Sequence, residues 1–419
     1  MDARVRLVCR ASRSPSHAVN LNLPAPRGKR RARACPLSAA PPHAVLQLAP
    51  RLEPDEIGSD TLDLARHLRS RGLRSFVASA GGTLLRELSA AGATHLPLPL
   101  DADGRLAVWR NSGRLARAIR ELRIAVVHAH APGPAVCGTE AARTAGIPFV
   151  VTVHEPETVA RRPGAAAMTG AQRVIAVSDF MADTLAERHG VARERLRVIR
   201  RWIDTAEFDP ERVRGHRVLA LAERWKVGHG PKVVMVPPLH AEDRGHLLLL
   251  QALARLPRTN CLALMVGGLD ESGAYGEALI AAVRKAGVGD RVRFGGDTDD
   301  LPAALSLADV VVIPATRPDP SGILAAAAQA MGKPVIVANR GALAEAVMPA
   351  ATGWLVPPDD PDELARALEL ALSLDEETRG RLASRARAFV RAEFGLETMC
   401  DRTLAVYREL IAPVVAPAG

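Results

Sequence analysis

Ala308–Asp309–Val310–Val311–Val312–Ile313, Ala330–Met331–Gly332–Lys333–Pro334–Val335–Ile336 and Thr352–Gly353–Trp354–Leu355–Val356–Pro357–Pro358 are the stretches that decide the fold. Each holds a short, β-branched apolar run bounded by Gly, Pro or Asp, the pattern of a strand buried on both faces. Between the first two lies Ala325–Ala328, a strong helix former. Strands alternating with helices predict a parallel sheet covered by helices on both sides.

The same alternation continues outward in both directions. In the second half the predicted strands are Lys232–Val236, Cys261–Val266, Val292–Phe294, Val310–Ile313, Pro334–Val337 and Trp354–Val356. In the first half they are Ala44–Leu48, Ser75–Ala78, Ile124–His128, Phe149–Val153 and Arg173–Val177, with helices over Thr61–Ser70, Gly113–Leu122 and Asp179–His189. Ser178 is a good N-cap for the last, because its hydroxyl can accept from a free backbone N–H. Pro210, Gly228, Gly230 and Pro231 break the pattern between the two series. From Pro361 to about Pro413 the spacing of Leu364, Leu368, Leu404, Tyr407 and Leu410 predicts helices packing back on the sheets. The expected organisation is a basic tail over 1–43, doubly wound domains over 44–210 and 211–385, and a helical segment over 386–419. In such sheets ligands sit outside the carboxyl ends of the strands, here in a cleft between two domains.

The net charge of +9 invites a nucleic-acid reading until it is located. Residues 1–43 carry nine Arg and Lys against Asp2 alone, or +8, leaving about +1 for the rest. The charge therefore belongs to a tail, and no nucleic-acid partner is expected. The cysteines at 9, 35, 137, 261 and 400 form no C-x-x-C pair, which implies neither zinc nor a disulfide framework. No run approaches the ~18 apolar residues of a membrane span, and the N-terminus lacks the apolar core of a secretory signal. Binding of Arg27–Arg33 to anionic lipid is weighed against plain solvation, and solvation is preferred.

Common nucleotide motifs are absent. No G-x-G-x-x-G follows a predicted strand, and no G-x-x-x-x-G-K-[ST] occurs, since Gly332–Lys333 leads into Pro334. His154–Glu155 lacks the second histidine of a zincin, and His128 with His130 lacks a third metal ligand.

The stretches quoted above, with Gly295–Gly296–Asp297–Thr298–Asp299–Asp300–Leu301–Pro302, resemble the C-terminal domain of family 4 glycosyltransferases. The first half agrees in Val127–His128–Ala129–His130, Thr152–Val153–His154, Ile175–Ala176–Val177–Ser178 and Phe208–Asp209–Pro210. The resemblance covers roughly residues 44–410. It implies a GT-B fold: two Rossmann-like doubly wound α/β domains facing across a cleft, with C-terminal helices packing back. It also implies retaining transfer of a sugar from a nucleotide-diphosphate donor to an acceptor hydroxyl on a glycan, lipid or small molecule. The second domain would hold the nucleotide and the first the acceptor. Neither metal nor cofactor is expected, because basic side chains and a helix N-terminus carry the diphosphate charge. A cytoplasmic location follows from the need for nucleotide sugars, with peripheral contact at the inner membrane face compatible with it.

Residue by residue, the resemblance assigns Asp319 and His154 to catalysis. It assigns Arg244, Gly322, Ile323, Glu345 and Arg201 to donor binding. Three positions depart from the pattern. The second of two acids eight apart, which in the family bonds the nucleotide ribose, falls on Ala327. An expected loop arginine falls on Pro238, beside Glu242 and Asp243. A glycine pair that lets backbone approach the donor is replaced by Asp55–Glu56, with Gly58 able to re-route the loop. Trp202, where a glycine is usual, fits either stacking on a base or acceptor or plain packing. Two readings stay open: a working enzyme with a shifted donor site, or a catalytically silent homologue acting as a partner or regulator.

Overall fold

A computed structural model describes residues 43–100, 104–159, 164–228, 232–236, 242–257, 261–270 and 273–411. The basic tail up to residue 42 and the Pro238 position lie outside them. The first half runs β1 (Ala44–Leu48), α1 (Glu56–Ser70), β2 (Arg74–Ser79), α2 (Leu85–Ala90), β3 (Thr94–Pro97), α3 (Arg105–Leu122), β4 (Ile124–Ala129), α4 (Pro132–Ala145), β5 (Phe149–Val153), α5 (Gly164–Thr169), β6 (Arg173–Ala176), α6 (Asp179–His189) and β7 (Leu196–Val198). The second runs α7 (Gly215–Arg224), β8 (Lys232–Val236), α8 (His246–Arg255), β9 (Cys261–Val266), α9 (Ala274–Ala286), β10 (Val292–Gly296), α10 (Leu301–Leu307), β11 (Val310–Ile313), α11 (Ile323–Ala330), β12 (Val335–Ala338) and β13 (Gly353–Val356). Helices α12 (Pro361–Ser373), α13 (Glu376–Glu393) and α14 (Leu396–Ile411) close the chain.

The strands form two separate parallel sheets, ordered β3-β2-β1-β4-β5-β6-β7 and β10-β9-β8-β11-β12-β13. Both reverse direction beside their first strand, so each has a switch point where loops diverge and leave a crevice. The expected doubly wound architecture is what the chain adopts. Two edge strands, β3 and β7, escape the sequence pattern because they are short and only partly buried.

Local chemistry sets the elements. Helix α1 begins five residues earlier than its apolar spacing predicts, because the Asp55 carboxylate caps it by accepting from the Gly58 amide at 2.8 Å. A Cβ on Gly58 would lie 2.0 Å from the Glu53 carbonyl oxygen, so the loop before α1 packs against this glycine. Ser178 caps α6 as predicted, accepting from Met181 at 3.1 Å. Gly190 then ends α6 in the left-handed conformation.

Each sheet is covered on both faces. In the first domain one core lies under α3 and α4, with Leu115, Ile119, Val127 and Phe149. The opposite face, with Val45, Val126, Val150 and Ile175, is covered by Leu404, Val406 and Tyr407 of α14. The last helix therefore returns to the first domain. Helix α13 runs across residue 385 and keeps Val390 in the core of the second. The crossing is pinned where the Ile203 amide donates to the Phe394 carbonyl at 2.8 Å.

Candidate functional site

The carboxyl end of β11 leads into α11, and the helix amino end is where Asp319 sits. Its Oδ1 accepts from the Ser321 amide at 3.0 Å and the Gly322 amide at 2.7 Å, while Oδ2 accepts from Arg244 Nη1 at 2.6 Å. Arg244 is placed by Gly245, whose positive φ lets the loop lie against β11's end; a Cβ there would be 1.9 Å from the Pro314 carbonyl oxygen. Thr316 fastens the same loop by donating its amide to the Asp243 carbonyl at 2.7 Å. Asp243 itself lies 3.8 Å from Arg244 Nε, which has no hydrogen-bond acceptor among the described residues. The first amides of α11, from Ile323 onward, have no acceptor within the helix. Asp319, Arg244, Gly322 and Ile323 are thus brought together at one anion-favouring helix end.

Gly322 also meets a packing demand of the fold. It adopts φ +67°, and a Cβ would meet the Ala342 carbonyl oxygen at 2.7 Å and the Ala346 methyl at 2.8 Å. Its missing side chain makes room for the neighbouring turn of the protein.

Glu345 leaves that turn and reaches the first domain. Its carboxylate accepts from the Asp179 and Phe180 amides at 2.9 and 2.6 Å, covering the amino end of α6. Arg200 adds a bond to Glu345 at 3.3 Å and pairs with Asp179 at 2.9 Å. Alongside, the Ser178 hydroxyl donates to the Pro320 carbonyl at 2.6 Å. Burial pushes the Glu345 carboxyl above its usual range, against the pull of the two amides and Arg200. Glu345 is therefore an interdomain contact, and Arg200, which the sequence reading passed over, is its counter-ion. The only sequence signal for Arg200 was its place beside Arg201.

His154 and Arg201 form a second cluster, at the carboxyl end of the first sheet. His154 Nδ1 lies 3.4 Å from Glu56 and 3.9 Å from Asp60, and Arg201 Nε lies 2.9 Å from Glu56 and 3.7 Å from Asp60. Trp202 donates its indole N–H to the Asp60 carboxylate at 2.9 Å. Burial alone would raise the Glu56 carboxyl, but His154 and Arg201 outweigh it and hold it below the usual range. Burial wins at Asp60, whose carboxyl is pushed up. Asp60 came into this group unannounced, because its role depends on residues about a hundred positions away.

Beneath the cluster is a cavity of about 20 Å³, lined by His128, His130, Thr152, His154 and, from α14, Met399 and Thr403. It has room for about one water. His128 bonds Tyr407 at 2.7 Å and Thr152 at 2.8 Å; His130 bonds Gln47 at 3.1 Å. Burial pushes His128 down to about 3 and His130 well below its usual value. Both rings are neutral near pH 7 and serve the framework. Among the described residues no group of three or more His, Cys, Asp or Glu is placed to hold a metal ion.

Ala327 is 2% exposed within an apolar core that includes Ala325, Ala326 and Ala328. The position the resemblance gives to a ribose-binding acid is here wrapped in methyl groups.

Comparison with known proteins agrees with this fold. The model for Glycosyltransferase Family 4 matches residues 57–207, and that for Glycosyl transferases group 1 matches residues 222–389. D-inositol 3-phosphate glycosyltransferase of Mycobacterium marinum is 32% identical over 250 residues, 59% of this chain and 52% of that protein. The protein of the same name from Mycobacterium tuberculosis is 32% identical over 247 residues, 58% of this chain and 49% of its own. The chain thus spans about half the length of the curated relatives it matches. Among solved structures, a glycosyltransferase from Rickettsia africae superposes with a TM-score of 0.76 at 22% identity, covering 89% of this chain and 99% of that one. HepE of Anabaena, crystallised with UDP and glucose, gives 0.69 at 22% identity, covering 87% and 99%. These structures share the fold.

Proposed function

The chain belongs to the group 1, family 4 glycosyltransferases of GT-B fold, and on that premise we propose that it transfers a sugar, with retention, from a nucleotide-diphosphate sugar to an acceptor hydroxyl. The acceptor would be a glycan, a lipid-linked glycan or a small molecule. The observation that carries this reading is the pairing of Arg244 with Asp319 at the amino end of α11. In the transfer, the bond from anomeric carbon to diphosphate breaks, the bond to acceptor oxygen forms, and the acceptor proton leaves with the diphosphate. Arg244 and the first amides of α11 would take the diphosphate charge, with no call on a metal. Asp319, released from Arg244, would face the positive charge developing on the sugar. His154, at the end of β5, would meet the donor sugar from the opposite side. The need for nucleotide sugars makes a cytoplasmic location part of this proposal.

A second reading, a catalytically silent homologue acting through a partner, has its own support. Ala327 is in the core, Glu56 stands where donor backbone contact is expected, and Glu345 is held on α6. Calorimetric titration of the full chain with UDP, GDP, ADP and their sugar conjugates separates the two. Micromolar binding of one nucleotide, lost in Arg244→Ala, supports transfer. Absence of binding across the panel by the folded chain supports the silent homologue.

A further inference from the structure

Helix α3 carries a surface that the transfer reaction does not use. Its inner face is firmly seated: Leu115, Ala116 and Ile119 are in the core, and the Asn111 side-chain amide donates to the Pro99 carbonyl at 2.8 Å. Its outer face combines exposed apolar and basic side chains. Leu106 is 65% exposed and Trp109 73%, the largest exposure of any bulky apolar side chain among the described residues. At 3.6 residues per turn these two share one half of the helix with Arg105, Arg110, Arg114, Arg117 and Arg120, all exposed. Glu121 is the one acid on that half, giving five minus one, or +4. None of these guanidinium groups has an ion pair or side-chain hydrogen bond among the described residues. On the adjacent α4, by contrast, Arg143 is paired with Glu140 at 2.7 Å. Asp101 and Asp103, which precede the helix in sequence, lie outside the described residues.

Topology aims this surface. β3 and β4 are parallel within one sheet, so α3 between them runs back against the strands. Its first two turns, with Leu106 and Trp109, therefore lie at the carboxyl end of the sheet, the end that carries His154.

We propose that the outer face of α3 is a docking surface for an anionic lipid bilayer. Leu106 and Trp109 enter the interface, and Arg110, Arg114, Arg117 and Arg120 meet the headgroups. Charge complementarity selects an anionic partner, and the apolar pair selects a bilayer. An indole and a leucine at the tip of a basic helix gain burial at the headgroup boundary, whereas a phosphate backbone would engage the arginines and leave both in water. The contact is peripheral, since no described helix is long and apolar enough to cross a membrane. It presents the cleft end of the first domain to the lipid.

The test is co-sedimentation of the full chain with vesicles of phosphatidylcholine alone and of equimolar phosphatidylcholine and phosphatidylglycerol. Binding is expected to the anionic vesicles only, and to fall as salt rises. Each arginine near an anionic surface changes partitioning on the order of five-fold. The triple variant Arg110→Gln/Arg114→Gln/Arg117→Gln, with its N-terminal tail intact, should therefore lose on the order of a hundred-fold. Wild-type tryptophan emission should shift to the blue on binding, and Trp109→Phe should still bind but lose most of that shift. Exposed positions on an anchored helix should leave folding unchanged, which circular dichroism checks. If the triple variant sediments like the wild type, the tail or another surface is responsible and the proposal is overturned. It is equally overturned if the triple substitution abolishes binding to a DNA duplex while vesicle binding stays as it was.

Discussion

Arg244 and Asp319 are joined by a 2.6 Å ion pair at the amino end of α11, so the cation and the carboxylate nearest a prospective donor are each other's counter-ion. Asp319 also fills two of the backbone donors at that helix end. A diphosphate arriving there must share Arg244 with a carboxylate already in place. Asp319→Asn keeps an oxygen for the Ser321 and Gly322 amides while removing the competing charge. Nucleotide-diphosphate affinity should rise on the order of ten-fold, since hydrogen bonds to charged groups are worth about 1.5–3 kcal/mol. Sugar transfer should fall in the same variant. Calorimetry and a turnover assay read the two effects separately, and weaker nucleotide binding would show that Asp319 helps to hold the ligand.

Restoring an acid at 327 should not restore a ribose contact. Ala327 is surrounded by apolar side chains, with Ala325 and Ala328 beside it and Phe394 in the same cluster. A glutamate there would bury a carboxyl without a partner, at a cost of about 2–4 kcal/mol. Ala327→Glu is expected to lower the first thermal transition by several degrees and leave nucleotide affinity no better. Tighter binding at unchanged melting temperature would mean that the core opens towards the cleft at this point.

How much of this was legible in the sequence varies with the range of the interaction. Strands such as Ala44–Leu48, Lys232–Val236 and Cys261–Val266 match their apolar runs end to end, because burial on both faces writes itself into consecutive residues. Edge strands β3 and β7 bury too little to leave such a mark. The amino-terminal turns of α3 also went unread, because Leu106 and Trp109 face solvent and break the apolar spacing. Within the site, the grouping of Asp319, Arg244 and Gly322 followed from motif positions. That Asp319 and Arg244 neutralise one another, and that Glu345 turns away to a helix 165 residues earlier, did not. Such pairings depend on loop paths that no local pattern encodes.

Glu345 fastens the second domain to the amino end of α6. Removing its carboxylate leaves the Asp179 and Phe180 amides without their acceptor and Arg200 without one of its partners. In Glu345→Ala these two amides should exchange hydrogen on the order of ten-fold faster, as expected for losing about 1–2 kcal/mol of local hydrogen bonding. Amides in the middle of β4 and β5 serve as the reference and should not change. Mass-spectrometric hydrogen exchange resolves the difference. Uniform acceleration across the first domain would instead indicate global destabilisation, and no change would remove Glu345 from the interdomain contact.

Asp63 supplies a test of the electrostatics of the same domain. It lies on the buried side of α1, paired with Arg66. Burial, reinforced by the nearby negative charges of Asp60 and Asp204 and opposed by Arg66, raises its carboxyl to about 6. An acid whose folded value lies above its unfolded one contributes stability that is complete below the unfolded value. That contribution is lost as pH rises through the folded value. The window here is from about 4 to somewhat above 6. Above it, ionising Asp63 in the folded chain costs on the order of 1–2 kcal/mol once solvent screening is allowed for. Asparagine imitates the neutral acid and keeps an oxygen for Arg66. Asp63→Asn should therefore melt a few degrees higher than wild type at pH 8, with the gain shrinking towards zero as pH falls to 4. A gain independent of pH would place its origin in packing, and a loss at pH 8 would mean that the charged pair with Arg66 outweighs the cost of burial.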